Sequence, residues 1–388
     1  MSVTHVITGG LVHLSGNPIQ ITLTANAVKP NHKLAIKVTC VALMGSPFVE
    51  EIAPNRPGLQ AVFDISGFIE QPVVYNFDFP ATGVANPHDL LAFHVTLDIG
   101  EVWTDLNGDR QLAWMGISGN NQIRVIKGKL RPYELGLLND TGKNFSSEYI
   151  NGGKFLTHLP NYQKVAPHQV PLLWYLSRWT ENHAVTAHLK VETDNKVGHI
   201  PITQDFTLWE ITGLVDFAVQ PAHWGFQTDP GELIQSYEFW LSDATGDISE
   251  HRTFLVDNEY YEKSFLFYYV NPLSGVDCIS LTGQYSEGLK TESEIAYRAV
   301  PVLSGSKVAS QTTISSGSQR SWELNTGPKS FSEILALRDF LSARQCWMVD
   351  PANDQKLIPV NIEPGDHKLF DLREDIQNLD IKILEAHR

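Results

Sequence analysis

The stretch YEFWLSDATGDISEHRTFLVDNEYYEKSFLFYYVNPLSGVDCISLT, residues 237 to 282, decides the fold class. Tyr237, Phe239 and Leu241 alternate with other residues, Asp243-Ala-Thr-Gly-Asp247 reads as a turn, and Thr253 to Asp257 extends again. Phe265-Leu-Phe-Tyr-Tyr-Val270 is a run dense in aromatics, broken by Asn271-Pro-Leu-Ser-Gly275 and resumed from Cys278 to Leu281. Period-two apolar runs bounded by Asp, Gly, Pro, Asn and Ser predict antiparallel strands joined by tight turns. Wide apolar patches seldom stay exposed, so if both faces of the aromatic run are covered, Phe265, Phe267 and Tyr269 mark a subunit or domain interface.

The same rhythm extends towards the N-terminus. Ile19, Ile21 and Leu23 alternate, as do Leu34, Ile36 and Val38; Val62 to Ile65, Val73 to Phe79, Leu91 to Leu97 and Ile123 to Ile126 follow. Lys29-Pro-Asn-His32, Asn55-Arg-Pro-Gly58 and Asn107-Gly108 separate them, the last a strong hairpin signal because both positions tolerate positive φ. Residues 1–127 are therefore expected to form a β-sandwich. From 128 to 205 the pattern loosens, with a short helix over Leu130–Leu138 and a compact apolar segment at Val170–Trp179, and reads as an irregular connecting region. Residues 206–303 are expected to form a second sandwich containing the opening stretch.

Residues 304–388 are expected to be a linker followed by a small α+β module. Leu303 to Ser321 is rich in Ser, Gly and Thr and reads as a linker or exposed loop. Ser330 or Ser332 can cap a helix carrying Ile334, Leu335, Leu337, Phe340 and Leu341, with Glu333 in its first turn. Strands are predicted at Cys346–Val349, Leu357–Ile362 and Leu379–Leu384. The fold class is mainly β, with stacked sandwiches and a C-terminal α+β module.

Composition bounds the function. With 388 residues, 42% hydrophobic and 19% charged, the chain is an ordered globular one with room for two to four domains. A net charge of −15 argues against a surface built to neutralise nucleic-acid phosphates, so no sequence-specific nucleic-acid partner is expected. Cys40, Cys278 and Cys346 are too sparse for a disulfide scaffold or a zinc site and suit a reducing cytoplasm. Neither a signal peptide nor an apolar run of membrane-spanning length is evident, and the expectation is a soluble chain.

Motifs for chemistry are weak. Asp105-Leu-Asn-Gly-Asp-Arg-Gln111 starts like a calcium loop, but Arg110 stands where the sharp turn needs Gly and Gly116 where a bidentate Glu belongs. Ser118 lies in Gly116-Ile-Ser-Gly119, which fails the nucleophile-elbow spacing by one residue. His183 and His188 lack metal-ligand spacing. Asp98, Glu101 and Asp105 near Trp103 and Trp114 suggest an acidic-aromatic carbohydrate site, with Asp105, Trp103 and Trp114 as ligand candidates, against the simpler reading of packed Trp and solvated acids. No phosphate loop or other cofactor motif occurs.

Several segments together resemble phage and prophage virion proteins of Bacteroidetes hosts, tail or baseplate components. The likeness rests on Gly16-Asn-Pro-Ile19, Phe63-Asp-Ile-Ser66, Ile126-Lys-Gly128, Leu172-Leu-Trp-Tyr-Leu176, Asp243-Ala-Thr-Gly246 and Tyr269-Val-Asn271. Gly275-Val-Asp277, Leu324-Asn-Thr-Gly327, Leu341-Ser342 and Ile358-Pro-Val360 continue it, so it spans nearly the whole chain in order. The resemblance implies a non-catalytic virion subunit made in the host cytoplasm, assembling with other virion proteins and as a homo-oligomeric ring. The alternative is a carbohydrate- or receptor-binding module at the tail tip. Gly275-Val-Asp277 departs from the expected Gly-Gly-Asp, which puts the conformation of that turn in question.

Overall fold

In this computed structural model, residues 3–40, 47–55, 58–70, 85–88, 91–115, 122–178, 183–195, 201–208, 214–297, 311–350, 353–367, 369 and 378–386 are described. The chain is mainly β, with strands in several sheets and few helices. It divides into two compact units, residues 1–258 with 270–277, and residues 259–269 with 278–388.

The first unit opens with the expected sandwich. Gln20–Ala25 lies between Val3–Ile7 and Gln60–Asp64 in a three-stranded antiparallel sheet. The facing sheet runs Val12–Leu14, Gln122–Ile126, Ala92–Thr104, Lys33–Cys40, Phe48–Ile52, with Arg110–Met115 paired to the far half of Ala92–Thr104. Alternation works here as read: Ile21, Leu23, Leu34, Ile36, Val95 and Leu97 are all buried in one core. Burying each stabilises by roughly 1.5–3 kcal/mol relative to leaving it exposed. Val73–Phe79 lies outside the described residues. The next described strand, Ala85–Pro87, leaves this sandwich altogether and pairs with Leu214–Ala218.

Residues 128–205 are not a loose connection. The helix within them forms at Pro132–Asp140, but Leu172–Leu176 is a fully buried strand, and His183–Thr193 is a long one in the centre of a sheet. Gln163–Val165, Arg252–Val256, Ile234–Asp243, His183–Thr193 and Ile202–Leu208 make one sheet; Leu172–Leu176, Leu214–Ala218 and Ala85–Pro87 make the other. Leu173, Tyr175 and Phe217 meet Leu189, Phe239 and Phe254 between them. The Pro-rich spacing conceals these strands because their partners lie far along the chain, where local periodicity carries no information.

The opening stretch is split. Tyr237, Phe239 and Leu241 belong to this second core, whereas Phe265–Val270 and Val276–Leu281 lie in the seven-stranded sheet that holds the C-terminal module. Between them, residues 270–277 cluster with the first unit. Asn271 is buried there and donates from Nδ2 to Leu156 O at 2.8 Å, while its Oδ1 accepts from the amides of Leu273 (2.9 Å) and Gly275 (3.0 Å). The missing second glycine is no defect. Val276 is a fully buried strand residue, and the positive φ of the turn, 82°, falls on Ser274. Gly275 is required for space instead: a Cβ there would lie 2.6 Å from Leu156 O and 3.1 Å from Trp174 Cγ.

In the second unit the sheet order is Val276–Leu281, Phe265–Val270, Cys346–Asp350, Asn353–Ile362, Asp380–Glu385, Gln311–Asn325, Tyr285–Tyr297. Ser330 caps the Phe331–Leu341 helix in a capping box with Glu333. Ile334, Leu337 and Phe340 are buried as expected, but Leu335 is 38% exposed. The Ser/Gly/Thr-rich segment is not a linker over its described part, because residues 311–321 begin a fifteen-residue strand.

Two outcomes follow from this packing. Gly275→Ala is expected to destabilise the folded chain by roughly 1–3 kcal/mol, the usual cost of overpacking against atoms that cannot retreat, measured as a lowered urea midpoint. Asp380–Glu385 is interior to its sheet, hydrogen-bonded to Asn353–Ile362 on one side and Gln311–Asn325 on the other. Deleting residues 376–388 should therefore expose the C-terminal module to limited proteolysis, and an unchanged digestion pattern would refute the pairing.

Candidate functional site

A long two-stranded ribbon stands out among the described residues. Tyr285–Tyr297 pairs antiparallel with Gln311–Asn325 from Tyr285↔Leu324 to Tyr297↔Gln311, with one bulge at Glu294/Ile295. The Gln311–Asn325 strand has a second neighbour only over Ser321–Asn325, where it pairs with Asp380–Leu384. Beyond that point the ribbon has no further strand on either edge among the described residues. Leu289 is 62% exposed and Ile295 48%. A lone two-stranded ribbon is marginal in water, and a long unpaired edge is a ready template for another strand.

The expected interface residues lie elsewhere. Phe265, Phe267 and Tyr269 are core residues: Phe267 and Tyr269 pack on Phe340 of the helix at 5.3 and 5.4 Å between ring centroids, and Phe265 packs edge-on to Tyr285 at 5.3 Å. This face is occupied within the chain itself, so it offers no surface to a partner. The sequence shows the need for cover, but the amphipathic helix supplying it lies some seventy residues later.

The candidate carbohydrate residues lie on the paired strands Ala92–Thr104 and Arg110–Met115 and the turn between them, and each acid has partners of its own. Asp98 pairs with Lys37 at 2.9 Å, and buried Glu101 pairs with Lys29 and lies 3.2 Å from His32 Nε2. Asp105 Oδ1 accepts the amides of Asn107 and Asp109, both at 2.9 Å, and Oδ2 accepts Gln111 Nε2 at 2.8 Å. These hydrogen bonds, that from Asp109 foremost, hold its carboxyl below the usual range. The carboxylate thus closes its own hairpin turn. Trp103 lies under Lys29 Nζ, 3.8 Å from the ring centre, and Trp114 packs on the bare Cα of Gly100. Ser118 lies outside the described residues.

His183 and His188 part company. His183 Nε2 is 2.9 Å from Asp243 Oδ2, whose other oxygen takes the Thr245 hydroxyl and amide at 2.6 and 2.7 Å. The Thr245 hydroxyl foremost, with His183 and the Thr245 amide, holds Asp243 down to about 2 against the opposing effect of burial. His188 is 2.6 Å from Ser242 Oγ and stacks on Trp240 at 4.8 Å; His251 covers the other face of that indole at 4.7 Å. Both nitrogens of His251 lie beside carboxylates, Glu238 at 3.1 Å and Asp247 at 3.2 Å. This imidazole–indole–imidazole stack on the outer face of the second sandwich is not visible in the sequence. It depends on the register that sets His188 opposite Trp240.

Burial holds His13, His188 and His223 below their ordinary value near 6.5. Between that value and the lowered ones the unfolded chain binds protons that the folded chain refuses, so stability falls as pH falls through this window. The urea midpoint is expected to drop between about pH 7.5 and about pH 5.5, a range in which ordinary carboxylates do not titrate. His13→Gln should flatten that slope.

No helix among the described residues is long and apolar enough to cross a membrane. No protein family and no curated protein sequence matches this chain.

Proposed function

We propose that this chain is a structural subunit of a bacteriophage particle, a tail or baseplate protein that assembles through its β-domains with other virion proteins and with its own copies, without catalysis. The observation that carries the reading is the ribbon of Tyr285–Tyr297 and Gln311–Asn325, whose thirteen-residue first strand is paired on one edge only among the described residues. Its backbone N–H and C=O groups gain most by adding a strand from a neighbour. Head-to-tail use of such an edge closes into a ring when the rotation between neighbours divides a full turn. The net charge of −15 suits a subunit that meets a basic partner or lines a passage that repels the DNA backbone.

The receptor-binding alternative needs aromatic faces open to a sugar. Trp240 is covered on both faces, Trp103 carries Lys29, and Trp174, Trp224 and Trp322 are buried. These five tryptophans therefore give it little support.

Replacing residues 289–320 by Asn-Gly joins Gly288 to Ser321, which already face each other in register, and leaves the five-residue pairing with Asp380–Leu384 intact. Mass photometry and negative-stain imaging over a concentration series should show a defined oligomer for the full chain and a folded monomer for the shortened one. A full chain that stays monomeric at every concentration, alone and mixed with its particle neighbours, would sink the assembly reading, and glycan-array binding by that monomer would favour the alternative.

A further inference from the structure

A cavity of about 300 Å³ in the first unit is lined by the strand Val12–Leu14 and the helix Pro132–Asp140, at the small end of the size range of ligand sites. Val12, Leu14, Leu130, Leu135, Leu138 and Phe145 give it mainly apolar walls. No residue of the helix is fully buried; Leu135 and Leu138, which line this space, are only half-buried. His13 is the single titratable side chain among the described lining residues, and it is 7% exposed. We propose that this cavity is a binding site for a small uncharged ring compound bearing a hydroxyl group, a phenol in its simplest form, whose O–H donates to His13 Nδ1.

His13 is held through one nitrogen. Its Nε2 lies 2.9 Å from Gly10 O, and a carbonyl can only accept, so Nε2 carries the proton and Nδ1 of the neutral ring keeps its lone pair. Burial holds the imidazole below its ordinary value, which keeps the ring neutral at neutral pH. The ring edge that carries Cε1 and Nδ1 lies towards Gly9, itself part of the lining. A Cβ at Gly9 would stand 3.4 Å from Cε1 and 3.7 Å from Nδ1, so the bare glycine leaves uncovered an edge that a side chain would close. Asn17 is spent: its Nδ2 donates to Leu130 O at 2.9 Å and its Oδ1 accepts the Leu130 amide at 2.8 Å. Thr8, Gln20 and Asn139 are exposed and Asn144 is half-buried, so the remaining hydroxyl and amide groups stand towards solvent. A hydroxyl suits both parts of this lining, because it donates to the imidazole and its oxygen accepts from an amide or from water. With no acidic or basic side chain other than His13 in the described lining, an ion would lose its hydration there without a counter-charge. An apolar ring gains by leaving water against the leucine walls, and Phe145 adds aromatic surface.

This site rests on the cavity alone and not on the assembly reading. The test titrates the full chain at neutral pH with para-cresol and with anisole, isomers of which only the first can donate a hydrogen bond, by calorimetry and ligand-observed NMR. Saturable one-to-one binding of para-cresol is expected, with anisole weaker by roughly three- to tenfold, the range for one neutral hydrogen bond. His13→Phe keeps a flat ring and removes the acceptor, while Gly10, whose carbonyl it releases, is exposed to water; the preference should vanish. Leu138→Trp, on the half-buried face of the helix, should block both probes while His13 is untouched. In the wild-type chain the imidazole nitrogen shifts of His13 should move with para-cresol and not with anisole. Equal affinity for the two probes, no saturable binding of para-cresol, undiminished preference in His13→Phe, or undiminished binding in Leu138→Trp would each overturn the assignment. Should His13→Phe lose its near-ultraviolet circular dichroism, the His13 nitrogen shifts and the Leu138→Trp result decide alone.

Discussion

The buried amide of Asn271 is the contact on which the path of the chain depends. Its side chain satisfies the Leu156 carbonyl and two amides of its own turn, groups that would otherwise lie inside the protein without water. Leaving such a group unmade costs more than the bond itself contributes, because desolvation is not returned. The turn can therefore sit deep only with an amide at position 271 and no Cβ at position 275. The Lys129 amide adds a fourth tie by donating to Pro272 O at 2.8 Å. The aromatic strand Phe265–Val270 leads into this turn and the buried strand Val276–Leu281 leads out of it, so a loop by composition behaves as core.

Electrostatics in the N-terminal sandwich follow the same economy. Each acid near Trp103 has its own cation or its own turn amides. Asp98 with Lys37 lies on a partly exposed sheet surface, where an ion pair contributes about 0–1 kcal/mol. Glu101 is different: at 4% exposure it depends on Lys29 and His32, since an unmatched buried carboxylate is costly. The side chains that suggested a ligand site are the ones that let a charged strand lie flat against its neighbours.

The ribbon obeys the opposite logic. The central strands His183–Thr193 and Ala92–Thr104, by contrast, have neighbours on both sides. Among the described residues Tyr285–Tyr297 has one neighbouring strand, and it is rich in Ser, Thr, Glu and Lys, residues that keep an edge soluble. A more apolar ribbon with an edge open among the described residues would invite non-specific aggregation.

Residues 237–241, 253–256, 265–270 and 346–349 were legible as strands from alternation and turn chemistry, and Ser330 with Glu333 was legible as a helix start, because these signals are local. The sequence by itself therefore determined the mainly β class, the first sandwich and the module's helix. Which sheet each strand joins was decided by tertiary structure. Leu172–Leu176 is buried on both faces and shows no alternation, and Ala85–Pro87 takes its place through pairing with Leu214–Ala218. The Gln311–Asn325 strand has a linker's composition as far as Ser321, and its pairing with Tyr285–Tyr297 along its length and with Asp380–Glu385 over its last five residues holds it extended. The cavity beside His13 and the His188–Trp240–His251 stack are likewise products of packing and register. A side chain's chemistry is written in the sequence, but what faces it is set by contacts between residues far apart along the chain.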